Sequence, residues 1–577
     1  MDEEELQKWE TVMLATYQND KSLIDAAQNE IFGLLQQQSF DVFIEILQNS
    51  CEPLARKAAS TYFCRDVEMH LKEITLNKRK KICNFILGNI MIPNQDIVII
   101  QNYIEIIRLF ASSSHKLLPE IEQFIVEIQN DPNIIRLNLL VKVIPFLKPD
   151  YVEQRYQMFS NIACNFLQLD NWDIINISIS LTKVLLSCSK DIRGYENAFV
   201  RLCQLCPIVI NEPVNIQNNY WNRLGELIQI GVCPPDLILA ILTSISNDSI
   251  SPDSALSALT AIQPSIRVLQ LEQVLGVINI SIINAVKFTE TEGLPPDDFI
   301  GPIVEAFTYF PHQPIYQFIK TKINEILTTK GINAAAITLF SPILSESFEQ
   351  LSDDMLFLRD LLKSGLQTND SLIVQSCCSL LAEFEETHQF SSFINEIMIY
   401  IYPYLIVEDK DVRHQAFRCV QAILFDQYIQ GSLEAIWSIK DQIKQEDQWS
   451  YMDILGLSIN NEAEINDQQI SAILEFAFFP PKDHFETDNM AKCILTLFSN
   501  IQNVEPIILK NVALAIAKFI ALPNNKLEKC KVDPVTSQNL IMLFKTIVGN
   551  YPDILSAVFE ELKEKQSNVK RIMNVLQ

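Results

Sequence analysis

Glycine is the scarcest structural resource in this chain, with 13 in 577 residues, roughly a third of ordinary usage. So little glycine leaves few positions for the positive-φ turns of β-rich folds or for loops whose backbone cradles phosphate. No Walker-type GxxxxGK[ST], GxGxxG or GxSxG pattern occurs. Basic residues are also outnumbered, 45 Lys and Arg against 71 Asp and Glu, for a net charge of −26. A surface of that sign repels phosphate and excludes direct nucleic-acid binding as the expected activity. The most apolar stretches, 237–245 and 274–283, fall short of the roughly 18 uninterrupted apolar residues a membrane span requires, so no membrane insertion is expected. The first ten residues, MDEEELQKWE, are acidic where a secretory signal is basic and then apolar, which places the chain in cytoplasm or nucleus.

Residues able to do chemistry are present but scattered. Thirteen cysteines are spread from Cys51 to Cys530, mostly inside apolar runs, and read as small buried hydrophobes. Cys203 and Cys206 have the spacing of a metal or redox pair, but no second pair accompanies them, whereas a structural zinc site takes four ligands. The six histidines, at 70, 115, 312, 388, 414 and 484, follow no ligand spacing and read as surface or loop positions. Carboxylate pairs such as Asp353-Asp354 and Glu385-Glu386 carry no information at this net charge. No catalytic constellation, cofactor site or metal site is expected, and an enzyme is disfavoured.

What the chain has in quantity is helical periodicity in short units. Phe40, Phe43, Ile44 and Leu47 fall on one helical face. Asn49 through Pro53 break it, and Leu54, Ala55, Ala58, Ala59 and Tyr62 open a second helix, making a helical hairpin. Further stripes follow: Ile100, Tyr103, Ile104 and Ile107; then Leu117, Ile121, Phe124, Ile125 and Ile128; then Leu137, Leu140, Val141 and Ile144. A short helix with one apolar stripe buries too little to fold alone, so neighbouring hairpins must stack and share a core. The expected fold is therefore all-α, an α-α superhelix of about 13 or 14 hairpins at roughly 40 residues each. The expected organisation is an N-terminal helical region over 1–110 followed by a continuous array over 111–577.

The hairpin turns resemble HEAT repeats. Pro403, Glu408-Asp409-Lys410-Asp411, Val412-Arg413 and Ala416 stand in the order of that repeat, and a second copy runs from Pro119 through Asn130-Asp131-Pro132 to Ile135-Arg136. A third, Asn369-Asp370 to Val374-Gln375, carries Gln where Arg is expected. The physical logic assigns Asp131 and Asp411 to capping the second helix, and Arg136 and Arg413 to bridging toward the next repeat.

The N-terminal region, with Ile24–Ile31, Phe40–Leu47, the run Leu54-Ala55-Arg56-Lys57-Ala58-Ala59 and then Lys72 and Lys78-Arg79-Lys80-Lys81, resembles that of importin-β-type nuclear transport receptors. The resemblance implies binding of the small GTPase Ran in its GTP form near the N-terminus, of Phe-Gly nucleoporins on one helix layer, and of basic protein cargo on the other. Receptors of that family are usually considerably longer. Glu290, Glu292, Asp297 and Asp298 lie where some importins carry an acidic loop, but charge clusters of this size are common on acidic surfaces and a solvated inter-repeat loop is the favoured reading. Lys78–Lys81 could pass for a localisation signal and reads as solvated surface. A second reading is a scaffold of the kind that organises protein phosphatase two-A, whose repeats carry Val-Arg at nearly every turn, a regularity this chain lacks.

Overall fold

The computed structural model describes residues 1–114, 118–127, 133–189, 194–246, 250–295, 297–351, 354–385, 393–426, 429–461, 487–500, 504–522, 532–562 and 566–576. Helices and short 3-10 turns are the only regular elements among them. The fold is an α-α array of HEAT type. Contacts divide it into two units, Met1–Asn284 and Ala285–Gln577.

The first unit contains α1 (Glu3–Ala15), α2 (Lys21–Gln36), α3 (Phe40–Asn49), α4 (Pro53–Met69), α5 (Leu76–Asn89), α6 (Ile97–Ser114) and α7 (Pro119–Val126). It continues through α8 (Ile134–Val143), α9 (Pro149–Phe166), α10 (Trp172–Ser189), α11 (Glu196–Val209), α12 (Val214–Ile228), α13 (Pro235–Ile245) and α14 (Pro252–Ile262). Even-numbered helices from α4 to α14 pack each against the next in one row, while α5 meets α7 and α11 meets α13 in another. Proline opens α4, α7, α9, α13 and α14 at the first helical positions, where its missing N–H costs nothing.

Burial follows the hairpin pattern with one adjustment. In α3 the buried residues are Phe40, Phe43, Ile46 and Leu47, whereas Ile44 is half-buried. Helix α3 packs on both α1 and α4, so its apolar face is wider than one stripe. In α4 the core side chains are Ala55, Ala58, Ala59, Phe63 and Val67, while Leu54 in the first turn is 48% exposed and Tyr62 is half-buried. The small alanines let helices approach, and aromatic rings bind the layers. Phe40 and Phe63 meet edge to face at 6.4 Å, Phe63 and Phe85 at 6.3 Å, Phe85 and Tyr103 at 5.9 Å. Contacts of this kind add about 0.5–1.5 kcal/mol each beyond the area they bury.

Helix α15 (Leu271–Thr291) crosses the boundary between the units. By length and composition it could cross a membrane, which the interrupted apolar run in the sequence concealed, and half of its most apolar window is buried inside the protein. The second unit then contains α16 (Gly301–Tyr309), α17 (His312–Lys330), α18 (Ala334–Thr338), α19 (Ser341–Glu346), α20 (Phe348–Leu351) and α21 (Met355–Leu366). After these come α22 (Ser371–Glu385), α23 (Ile394–Ile401), α24 (Lys410–Asp426), α25 (Ser432–Ser438) and α26 (Gln448–Asn461). Here α18, α22, α24 and α26 form the packed row, and α26 packs on the helix Thr487–Asn500. Helices Pro506–Ile520, Pro534–Asn550, Pro552–Leu562 and Gln566–Leu576 pack together after it.

Candidate interaction surfaces

The repeat turns are more regular in space than in sequence. The side chain of Asp96 accepts the Val98 N–H at 2.7 Å at the start of α6, and Asn133 accepts that of Ile135 at 2.8 Å at the start of α8. Asn171 caps α10 through Asp173 and Ile174, and Asp370 caps α22 through Leu372 and Ile373. At α24 the cap is Asp409, which accepts from Asp411 at 3.0 Å and Val412 at 3.2 Å. Asp411 itself is exposed in the first helical turn, where its charge complements the helix dipole. Asp131 lies outside the described residues.

Arg413 is 1% exposed. Its Nε donates to Asp447 Oδ2 at 2.6 Å, its two terminal nitrogens to the carboxylate of Glu446 and to the carbonyls of Val407 (3.0 Å) and Glu408 (2.9 Å). Arg136 is held differently: its guanidinium lies over the Phe124 ring at 4.6 Å and 3.7 Å from Glu127, so it reaches back to α7 and the turn after it. Arginines on the other row do similar work. Arg155 of α9 donates to Glu122 of α7 at 2.7 Å, and Arg201 of α11 donates to the Leu167 carbonyl and the Asp170 carboxylate, both at 3.2 Å. The contacts of Arg413, Arg155 and Arg201 tie neighbouring repeats, whereas Arg136, expected to bridge to the next repeat, binds within its own hairpin because Phe124 and Glu127 lie closer to it.

The basic cluster is less solvated than its sequence suggests. Lys78 lies over the Phe40 ring at 4.6 Å, Lys80 is 3.6 Å from Glu120, and Arg79 donates to the Ile74 and Leu71 carbonyls and to Ser113. Only Lys81 of the four is exposed. His70, expected at the surface, has a side chain only 13% exposed. Its Nε2 is 2.6 Å from the Leu35 carbonyl at the end of α2, and that bond draws the ring into the gap between α2 and α4. His312 and His414 are exposed, while His115, His388 and His484 lie outside the described residues.

Cys206 donates to the Leu202 carbonyl at 3.2 Å, and burial pushes its thiol up to about 12. Among the described residues no three His, Cys, Asp or Glu side chains cluster as a metal site would require.

Two clefts stand out. An apolar one of about 490 Å³ lies where α11 meets the start of α13, lined by Phe199, Val200, Cys203 and Pro234, with Glu196 and Asp236 at its rim. Val200 is 56% exposed there. The second, about 90 Å³ and within the second unit, has Asp297 and Glu383 with Thr338, Ser341, Ser376 and Ser379. Ser341 donates to Glu383 at 2.6 Å, and the buried hydroxyl of Ser376 has no hydrogen-bond partner among the described residues. Part of the acidic stretch thus lines a cleft, while Glu290 is paired with Lys330. The signal for either cleft in sequence is weak, because each is built from residues on different helices.

No protein-family model and no curated protein matches the chain. Solved structures do. The karyopherin Kap121p bound to Pho4p superposes with a TM-score of 0.63 at 11% identity, covering 97% of this chain and 58% of that one. Kap121p bound to Nup53p gives the same TM-score, identity and coverage. Kap121p bound to RanGTP matches at 0.55 and 12% identity over 100% of this chain and 56% of that one. The fold is that of Kap121p, and the chain spans a little over half of Kap121p's length.

Proposed function

We propose that this chain is a nuclear transport receptor of the importin-β type, binding Ran-GTP and protein cargo and working in both cytoplasm and nucleus. The observation that carries this reading is the correspondence with Kap121p over 97% of the chain, a correspondence that holds for structures of Kap121p bound to RanGTP, to Nup53p and to Pho4p. The N-terminal region, 1–110, is assigned to Ran-GTP. The apolar cleft at Phe199, Val200 and Pro234 suits the aromatic side chain of a Phe-Gly nucleoporin, since it offers apolar walls and an open mouth. The net charge of −26 steers basic cargo toward the surface, and the cleft at Asp297 and Glu383 offers carboxylates and hydroxyls to a cationic side chain.

No bond is made or broken in such a mechanism, and no cofactor or metal is needed. Each hairpin touches chiefly its neighbours, so an array can alter its curvature at small cost, and Ran-GTP and cargo become coupled through curvature or overlap. The test is capture of the purified chain on Ran loaded with a non-hydrolysable GTP analogue and, separately, with GDP. Selective capture by the GTP form is expected. Absence of capture by either form, from a sample whose circular dichroism is helical, overturns the reading and leaves a scaffold without Ran dependence.

A further inference from the structure

A third cleft, of about 420 Å³, lies in the first unit across the parallel helices α8, α10 and α12. Its floor is layered. Asn138, Asn176 and Asn219 occupy equivalent places four or five residues into their helices, and one to two turns further on stand Lys142, Lys183 and Arg223. Ile134, Val141, Ile177 and Val184 add apolar surface to the lining.

Two observations mark this as a binding site rather than a solvated face. Asn176 is 4% exposed, yet its side-chain oxygen has no hydrogen-bond partner among the described residues. A buried amide left unpaired costs about 1–3 kcal/mol, which a ligand that bonds to it recovers. The second is charge. Glu226 is 3.0 Å from Lys183 and 3.3 Å from Arg223, so one carboxylate is shared by two cations, and exposed Lys142 enters no ion pair among the described residues. With Asp173 as the other acid, the cleft holds three cations against two anions in a chain whose net charge is −26.

We infer that this cleft binds an extended acidic peptide segment. A side-chain amide carries one donor group and one acceptor, the same complement as a peptide bond, so an amide on each of three neighbouring helices matches an extended main chain laid across them. Helices packed 8–10 Å apart place the outer two about 20 Å from each other, the span of about six extended residues. The side chains of such a segment reach the cationic layer, where carboxylates complete the charge balance of Lys142, Lys183 and Arg223. This site lies outside the N-terminal region 1–110 and on a different row of helices from the apolar cleft at Val200.

The experiment is fluorescence anisotropy of the full chain with three labelled nonapeptides, alternating Gly with Glu, with Lys or with Ser. Saturable binding of the Glu peptide, weakening with added salt, is expected. Lys142→Glu, an exposed substitution, weakens it about tenfold through reversal of one nearby charge. Asn176→Leu, which removes the buried amide without emptying its volume, weakens it about fivefold, the value of one hydrogen bond, with the melting temperature not lowered. Val200→Ser leaves it unchanged. Equal or tighter binding of the Lys peptide, or Glu-peptide affinity that neither Lys142→Glu nor Asn176→Leu alters, overturns the inference.

Discussion

Arg413 Nε lies 2.6 Å from Asp447 Oδ2, joining the second helix of one repeat to the turn that opens α26. The same guanidinium satisfies the carbonyls of Val407 and Glu408, so a single side chain closes its own turn and fastens the next. A charge this enclosed is stable only while its partners remain. Arg413→Ala leaves Asp447, itself 13% exposed, without its cation and is expected to cost about 2–4 kcal/mol. Urea unfolding followed by circular dichroism measures it. In a double-mutant cycle with Asp447→Asn, a coupling energy near zero would show that the pair does not fasten the repeats.

Glycines separate into two kinds, and opposite outcomes follow. A Cβ added at Gly225 of α12 would sit 2.9 Å from the Ala261 Cα of α14, and one added at Gly365 would sit 2.7 Å from Cys377 Sγ. Gly225→Ala therefore forces two packed helices apart and destabilises by about 1–3 kcal/mol despite alanine's higher helix propensity. Gly33 in α2 faces open space, and Gly33→Ala is expected to stabilise by about 0.5–1 kcal/mol. Melting temperatures of the two variants should move in opposite directions.

The hairpins themselves were legible in the residue pattern because burial on a short helix writes a period of 3.6 into it, as at Ile100, Tyr103, Ile104 and Ile107, all buried. The turn chemistry was legible as a type but not to the residue. Two aspartates flank Lys410, and only backbone geometry assigns the capping bonds to Asp409 and leaves Asp411 exposed in the first turn. The amide layer was not legible at all. Asn138, Asn176 and Asn219 are separated by 38 and 43 residues and become neighbours only when α8, α10 and α12 align. His70 escaped for a similar reason, since its partner carbonyl, Leu35, lies 35 residues earlier.

If the cleft at Val200 takes an aromatic side chain, a charge at its mouth must oppose entry. Val200→Asp is expected to weaken binding of a Phe-Gly repeat peptide by about tenfold, since an exposed carboxylate must be desolvated as the ring docks. Val200 is 56% exposed, so the substitution should leave the melting temperature within about 1 °C, in keeping with the small effects of surface changes. Capture by Ran-GTP should be unaffected. Unchanged peptide affinity in this variant would remove the cleft from the proposed interface.

The N-terminal hairpins should lose stability as the pH rises. Both carboxyl oxygens of Asp66 are buried without a hydrogen-bond partner among the described residues, and burial pushes its pKa up from 3.8 to about 7. His70, 3.6 Å away, is raised from 6.5, first by the Leu35 carbonyl, which favours the protonated ring, and further by Glu73 at 3.3 Å. Both groups bind a proton more tightly folded than unfolded. The contribution of Asp66 is therefore fully present below about pH 4 and lost by about pH 7, and that of His70 is fully present below about 6.5 and lost above it. Asp66→Asn abolishes the lower part of this slope and should raise stability at pH 7.5 by about 1–3 kcal/mol relative to the parent chain. Hydrogen exchange of the α2 and α4 amides between pH 5 and 8, corrected for intrinsic rates, reads the effect locally. Protection that rises with pH in the parent chain, or a slope that Asp66→Asn leaves intact, would show that this buried carboxyl does not govern the stability of the hairpin.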